Sequence, residues 1–167
     1  VNEIRGKIIK FGDNIDTDLI ITAHRLTLGS DYEELVKYTF ENFDPRFLEK
    51  VKNGQTIIVA GRNFGSGSSR EQAPYVLKYS GIKAVLAESF ARIFFRNSVN
   101  IGLPVFIAPD ISNIGMDLDE LVITPSTGEV KNLTNGEKID IEPLPEFLVE
   151  ILDNGGIVEY LKKRTSV

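Results

Sequence analysis

The stretch TIIVAGRNFGSGSSREQAPYVLKY, residues 56–79, decides how the rest of the chain is read. Thr56-Ile57-Ile58-Val59-Ala60 is a short apolar run of β type, ended by Gly61. A loop of small residues follows: Gly65, Ser66, Gly67, Ser68 and Ser69. Arg70-Glu71-Gln72 then opens a helical segment. A buried strand that runs through small residues into a helix builds an anion site. The first N–H groups of such a helix are unpaired, and its dipole adds positive potential there. Glycines at 65 and 67 permit a tight turn and close approach by a ligand. Two hydroxyls and a guanidinium stand on the same spot, so the stretch reads as a site for a carboxylate or a phosphate.

A plainer account competes. Ser68 with Glu71, and Ser69 with Gln72, both have capping-box spacing. Capping explains one serine and one acid or amide. It leaves the second serine, the two glycines and the arginine unexplained. Pro74 further requires that the helix either kink or begin later than Ser69. Familiar phosphate loops do not fit. The loop has no lysine for a Walker pattern. Arg70 stands where a dinucleotide fingerprint needs its third glycine. The serines lack the spaced glycines of a nucleophile elbow. A Ser-His-Asp triad would depend on His24, the one histidine.

Composition narrows the class. The 167 residues are 42% hydrophobic and 26% charged, enough for one compact domain with a real core. A net charge of −5 gives no electrostatic footprint for nucleic acid. No apolar run approaches the ~18–20 residues that span a bilayer. The first residues lack a signal-peptide pattern, so a cytoplasmic protein is expected. There are 0 cysteines. That excludes disulfides, thiolate catalysis and any cysteine-held cluster on this chain.

Working outward, residues 4–11 alternate as a first strand. Asp13, Asp16 and Asp18 follow in a turn-rich segment. An EF-hand is rejected because Asp18 and His24 occupy the places of its glycine and glutamate. Aspartates capping their own backbone are the simple account. Residues 22–30 form a loop of mixed chemistry. Residues 31–38 predict a helix capped by Ser30 or Asp31, and residues 44–51 another with Pro45 at its first position. Asn53-Gly54 is a turn. Tyr75, Val76 and Tyr79 are placed on the inner face of the helix that Gly81 ends. Residues 82–88 predict a strand. Residues 90–99 predict a helix with Phe90, Ile93, Phe94 and Val99 as its apolar positions. Arg92 and Arg96 share one face of that helix. They are read as solvated or locally paired, or else as pairing with acids of a partner. Residues 102–107 lead into a further strand. Three short strands near residues 121–124, 129–132 and 138–141 then form an antiparallel meander, and two short helices close the chain. The fold class is α/β, a parallel strand–helix layer plus a small antiparallel meander.

Gly65-Ser66-Gly67-Ser68-Ser69-Arg70-Glu71-Gln72-Ala73, followed by Ala87-Glu88-Ser89-Phe90-Ala91-Arg92-Ile93-Phe94, resembles the swivelling domain of the aconitase superfamily. More narrowly, the chain is similar to the separate small subunits of 3-isopropylmalate dehydratase and homoaconitase. The resemblance implies an aconitase-type swivelling β/β/α domain over residues 1–167. It implies a hydro-lyase that isomerises a hydroxy diacid by dehydration and rehydration. A four-iron–four-sulfur cluster would act as Lewis acid on a large subunit, since this chain has no thiolates. Within that resemblance, Ser68 is the base, Arg70 holds a substrate carboxylate, and Asp18 is an active-site aspartate. Ser69 assists or caps. The loop at 22–30 chooses the substrate. There Thr27 stands where tricarboxylate enzymes carry an arginine, flanked by Leu26 and Leu28, with Arg25 nearby. An apolar lining suits an isopropyl group, whose burial is worth roughly 1.5–3 kcal/mol. The implied partners are the large subunit and a small dicarboxylate, with self-association of the isolated chain left open. Two alternatives stand beside this. One is a homoaconitase or dimethylmalate/citraconate-type small subunit. The other is a non-catalytic module that binds an anion or nucleotide.

Overall fold

A computed structural model describes residues 3–27, 31–51 and 55–165. Seven strands form a single mixed sheet in the order β4-β3-β2-β1-β5-β6-β7. The first four are β1 (Ile4–Lys10), β2 (Thr56–Ala60), β3 (Ile82–Ala87) and β4 (Val105–Ile107). They are mutually parallel, with Ile8 opposite Ile57 and Ile58 opposite Val85. All five residues of β2 are buried, as expected of a central parallel strand covered on both faces. The meander β5 (Glu120–Thr124), β6 (Glu129–Asn132) and β7 (Lys138–Asp140) is antiparallel. It is continuous with the parallel half, because β5 pairs antiparallel with β1 through Gly6 and Leu121.

Alternate residues of the parallel strands feed two cores. Ile9, Ile58, Ala60, Val85 and Val105 pack under the helices. Ile8, Ile57, Leu86 and Phe106 face the other way and join Leu121, Ile123 and Val130 of the curled meander. The period-2 alternation of strand side chains thus builds the β/β/α layering.

The connections carry α1 (Thr17–Ile20), α2 (Ala23–Leu26), α3 (Tyr32–Leu35), α4 (Phe47–Val51), α5 (Gln72–Ser80) and α6 (Arg92–Ile101). The chain closes with α7 (Glu146–Asp153) and α8 (Ile157–Thr165). Several expectations shift. The 31–38 helix is a single α-turn capped by Asp31, continued by a 3₁₀ turn at Val36–Tyr38. The 44–51 helix begins at Phe47 rather than beside Pro45. The turn at Asn53-Gly54 lies outside the described residues. Tyr79 is 57% and Ile93 52% exposed, so neither faces inward. Tyr79 instead lies against the Tyr75 ring, with centroids 4.4 Å apart. The helix after β3 begins at Arg92, and Phe90 packs from the preceding loop onto Phe64 and Phe94.

α5 starts at Gln72, so Pro74 falls in the first turn, where its missing N–H has no intrahelical role. The residue before the helix, Glu71, makes no side-chain cap bond. Neither serine caps α5, which removes the capping account of the serine loop.

Candidate active site

The serine loop leaves the C-terminal end of β2 and stays stitched to its neighbours. Thr17 N–H donates to Ser66 C=O at 2.8 Å and Gly65 N–H to Ile15 C=O at 2.7 Å on one side. Phe64 N–H donates to Ser89 C=O at 3.0 Å and Ala91 N–H to Phe64 C=O at 2.9 Å on the other. The loop therefore sits beyond the carboxyl ends of β1, β2 and β3, where open parallel sheets bind ligands.

Two glycines set its path. Gly65 has φ +81° and lies directly on the Phe94 ring, so a side chain there would overlap the ring. Gly67 has φ +92°, and a Cβ would stand 2.6 Å from the Asp16 carboxylate. Both positions lie in the region that favours glycine.

Ser68 and Ser69 emerge exposed. Their hydroxyls have no hydrogen-bond partner among the described residues. The Ser68 carbonyl accepts from the Thr17 hydroxyl at 2.9 Å. Arg70 lies mostly covered, its side chain 13% exposed. Its Nη1 donates to Asp18 Oδ1 at 2.9 Å and to Ile21 C=O at 3.0 Å. The same Asp18 oxygen accepts from Ala23 N–H at 2.9 Å. The Arg70 bond, then the Ala23 bond, hold the Asp18 carboxyl below the usual carboxylate range. Asp18 thus stays ionised and steers Arg70, which is poor equipment for proton transfer. A cleft of about 300 Å³ opens beside the loop, lined by Thr17, Ser68, Ser69, Arg70, Arg92 and Asn97 among others.

The 22–27 segment sits apart from that lining. Arg25 is engaged elsewhere: Nε and Nη2 grip the Glu41 carboxylate at 2.9 and 3.0 Å, and its Cζ stacks 3.8 Å from the Tyr38 ring centroid. Leu26 is half-buried against the helix-side core. Thr27 is exposed, and its hydroxyl donates to His24 C=O at 2.7 Å. Leu28 lies outside the described residues. Two cleft residues, Arg92 and Asn97, were not read as site residues from sequence. Their signal was there: the Ser89-Phe90-Ala91-Arg92 run starts a helix at the end of a parallel strand, the same placement that singled out the serine loop.

No group of three or more metal-binding side chains occurs among the described residues. With 0 cysteines in the sequence, the chain offers no ligand set for an iron–sulfur cluster. No helix among the described residues is long and apolar enough to cross a membrane.

A parallel strand–helix layer continued by an antiparallel meander, with hydroxyls and guanidinium groups lining a cleft beyond the strand ends, defines the chain as an α/β domain with a candidate anion site at that end of its sheet. The model of the aconitase C-terminal domain matches residues 4–109. The chain is 52% identical over 165 residues to the 3-isopropylmalate dehydratase small subunit of Thermodesulfovibrio yellowstonii, covering 99% of this chain and 97% of that one. It is 51% identical over 161 residues to the isopropylmalate/citramalate isomerase small subunit of Methanocaldococcus jannaschii, covering 96% and 95%. A crystal structure of 3-isopropylmalate dehydratase from Methanocaldococcus jannaschii has a TM-score of 0.90 at 44% identity, across 98% of this chain and 96% of that chain. The chain belongs to the aconitase C-terminal domain family and, within it, to the small subunits of 3-isopropylmalate dehydratase.

Proposed function

We propose that this chain is the small subunit of a hydro-lyase that interconverts 2-isopropylmalate and 3-isopropylmalate in leucine biosynthesis, in the cytoplasm. The whole chain acts as one swivelling domain. It supplies the base and a carboxylate grip, and a large subunit supplies the iron–sulfur cluster for which this chain has no ligands. The observation that carries the reading is the Ser68 hydroxyl, unpartnered at the mouth of a cleft that also holds Arg70.

Ser68 removes a proton from the carbon beside a substrate carboxylate and returns it on rehydration. A serine oxygen gives up its own proton near neutral pH only in a dry, positively polarised site. Here Ser68 is exposed. The site is therefore incomplete until the large subunit covers it, and the isolated chain is inert. Arg70, held by Asp18, presents its remaining N–H donors to the substrate carboxylate. Ser69 assists through its hydroxyl or N–H. Thr27, flanked in sequence by Leu26 and Leu28, tunes which diacid is accepted, and Arg25 braces that segment through Glu41 and Tyr38.

A second reading has a specific support: the Methanocaldococcus jannaschii relative is named as acting on citramalate as well as isopropylmalate. Both are diacids with an alkyl substituent and call for the same residues. The test is to reconstitute the chain with its large subunit and measure turnover of isopropylmalate, citramalate and homoaconitate, wild type against Ser68→Ala. Turnover of the alkyl diacids, lost in Ser68→Ala with assembly intact, is the expected result. An active Ser68→Ala complex would remove Ser68 as the base, and tight nucleotide binding by the isolated chain would point to a binding module.

A further inference from the structure

Arg92 places an uncompensated positive charge in the cleft. Arg70 is neutralised where it stands, by an Asp18 oxygen 2.9 Å away, and a paired guanidinium adds little net attraction for a second anion. Arg92 lines the same cleft as Ser68. It is the first residue of α6 and is exposed, and its side chain has no partner among the described residues. No carboxylate is among the residues lining the cleft. Ala91, at the cap of α6, offers no side-chain acceptor to the first-turn N–H groups, so the positive end of the helix is left open beside Arg92. Asn97, also on α6 and also lining the cleft, is half-buried, and its amide has no partner among the described residues.

We infer that Arg92, assisted by the Asn97 amide, grips the second carboxylate of the substrate, the one that Arg70 does not hold. The inference rests on the reading of the substrate as a diacid. Two arginines lining one cleft, one from the serine loop and one from the start of α6, match a ligand with two carboxylates. Arg70 is braced by protein contacts, whereas Arg92 has no brace and swings to the ligand. The division explains why one cation is neutralised internally and the other is not: an anchored group fixes orientation, and a free one supplies net charge.

The test is a calorimetric titration of the reconstituted complex with 3-isopropylmalate and with its two monoamides, each lacking one carboxylate. Wild type, Arg92→Gln, Arg92→Lys and Asn97→Ala are compared, and subunit affinity is measured in parallel by sedimentation. Arg92→Gln is expected to weaken diacid binding about 10–100-fold, the scale of a lost charge-assisted contact. It should leave the affinity for one of the two monoamides unchanged. Arg92→Lys should fall between wild type and Arg92→Gln. An Arg92→Gln complex that binds the diacid like wild type overturns the assignment. So does a loss of binding that only tracks a loss of subunit affinity, because the arginine would then belong to the interface. Turnover of isopropylmalate by the wild-type complex reports separately on the reaction. A complex that binds the diacid through Arg92 without converting it would sink the proposed activity and leave the assignment of Arg92 standing.

Discussion

Thr17 donates its hydroxyl hydrogen to the carbonyl oxygen of Ser68 across 2.9 Å. Thr17 is 2% exposed, so the bond is made out of water and ties α1 to the serine loop. Thr17→Val keeps the shape and removes the donor. An acceptor left unmet in a covered place costs about 1–3 kcal/mol. Denaturant melts should show a loss in that range. Steady-state kinetics of the reconstituted complex should show a larger fall in kcat than rise in KM, because the nucleus of the loop shifts under Ser68. Thr17→Ser should restore both. If Thr17→Val melts early yet turns over normally, the bond supports folding alone.

The Asp18–Arg70 pair assigns a steering role to the acid. Asp18 is 58% exposed, so its contribution to stability is small. Its loss should appear in binding instead. Asp18→Asn removes the charge that holds Arg70 and should raise KM about tenfold while leaving the melting midpoint within a degree or two. Arg70→Lys should be more damaging, since an ammonium does not reproduce a forked grip. The pH sign follows from the direction of the shift. With the folded pKa of Asp18 lowered, the pair is intact above the ordinary carboxylate value of about 3.9 and is lost as pH falls through the folded value. Substrate affinity should therefore be insensitive to Asp18 titration from pH 5 upward. A KM that climbs already between about pH 7 and 5 in wild type but not in Asp18→Asn would contradict this.

Gly65 and Gly67 act through different neighbours. A methyl at Gly65 collides with the Phe94 ring, part of the Phe64–Phe90–Phe94 aromatic cluster. Gly65→Ala should cost ~3 kcal/mol from left-handed backbone strain plus overpacking. At Gly67 the collision is with the Asp16 side chain, half-buried at the cap of α1. Gly67→Ala should cost less stability and more activity, because the carboxylate can move only by displacing the turn that carries Asp18. Equal stability losses with unchanged kinetics would show that the turn tolerates the shift.

Much of this was legible before any coordinates. Thr56–Ala60 reads as a buried parallel strand because five β-type residues end at a glycine, and all five are buried. Gly81 marks the end of α5 and adopts positive φ, whereas α6 runs two residues past the expected end at Val99, to a cap at Gly102. The serine loop stands out in sequence because capping alone leaves its second serine, two glycines and arginine unexplained, and it folds as a loop beyond the ends of β1, β2 and β3. What was not legible depends on tertiary contacts. Tyr79 carries the right spacing for an inner face yet lies outside, its ring resting against Tyr75, which packs on the helix-side core. The pairing of β5 with β1 joins segments more than a hundred residues apart, which no local pattern announces. Arg25 was read as a possible ligand from its nearness to Thr27 in sequence. Its partners, Glu41 and Tyr38, arrive from the next connection.

Thr27→Arg tests the loop alignment. Thr27 is exposed, and its hydroxyl only closes the end of α2 onto His24 C=O, so the substitution should be tolerated structurally. Relative kcat/KM should shift towards homoaconitate by tenfold or more, as a new guanidinium meets the added carboxylate. No shift in the ratio would detach position 27 from substrate choice.

Glu41 gives the last prediction, because it separates a brace from a ligand. The Arg25–Glu41 pair is two-pronged, and its side chains are 27% and 22% exposed, covered enough to outlast ordinary surface screening. The guanidinium bond, ahead of every other influence, holds the Glu41 carboxyl below its usual range. A depressed folded pKa means the stabilisation is fully present above the unfolded value of about 4.3 and fades as pH falls through the folded one. Glu41→Gln should therefore melt on the order of 1 kcal/mol below wild type at pH 7, and the gap should narrow as pH falls below the unfolded value of about 4.3. Alkyl-diacid KM should rise only modestly, because Arg25 loses its brace without having touched the substrate. A stability gap that stays constant down to pH 3 would mean that packing against Tyr38, rather than the ion pair, holds the loop. A large KM effect at unchanged stability would return Arg25 to the substrate itself.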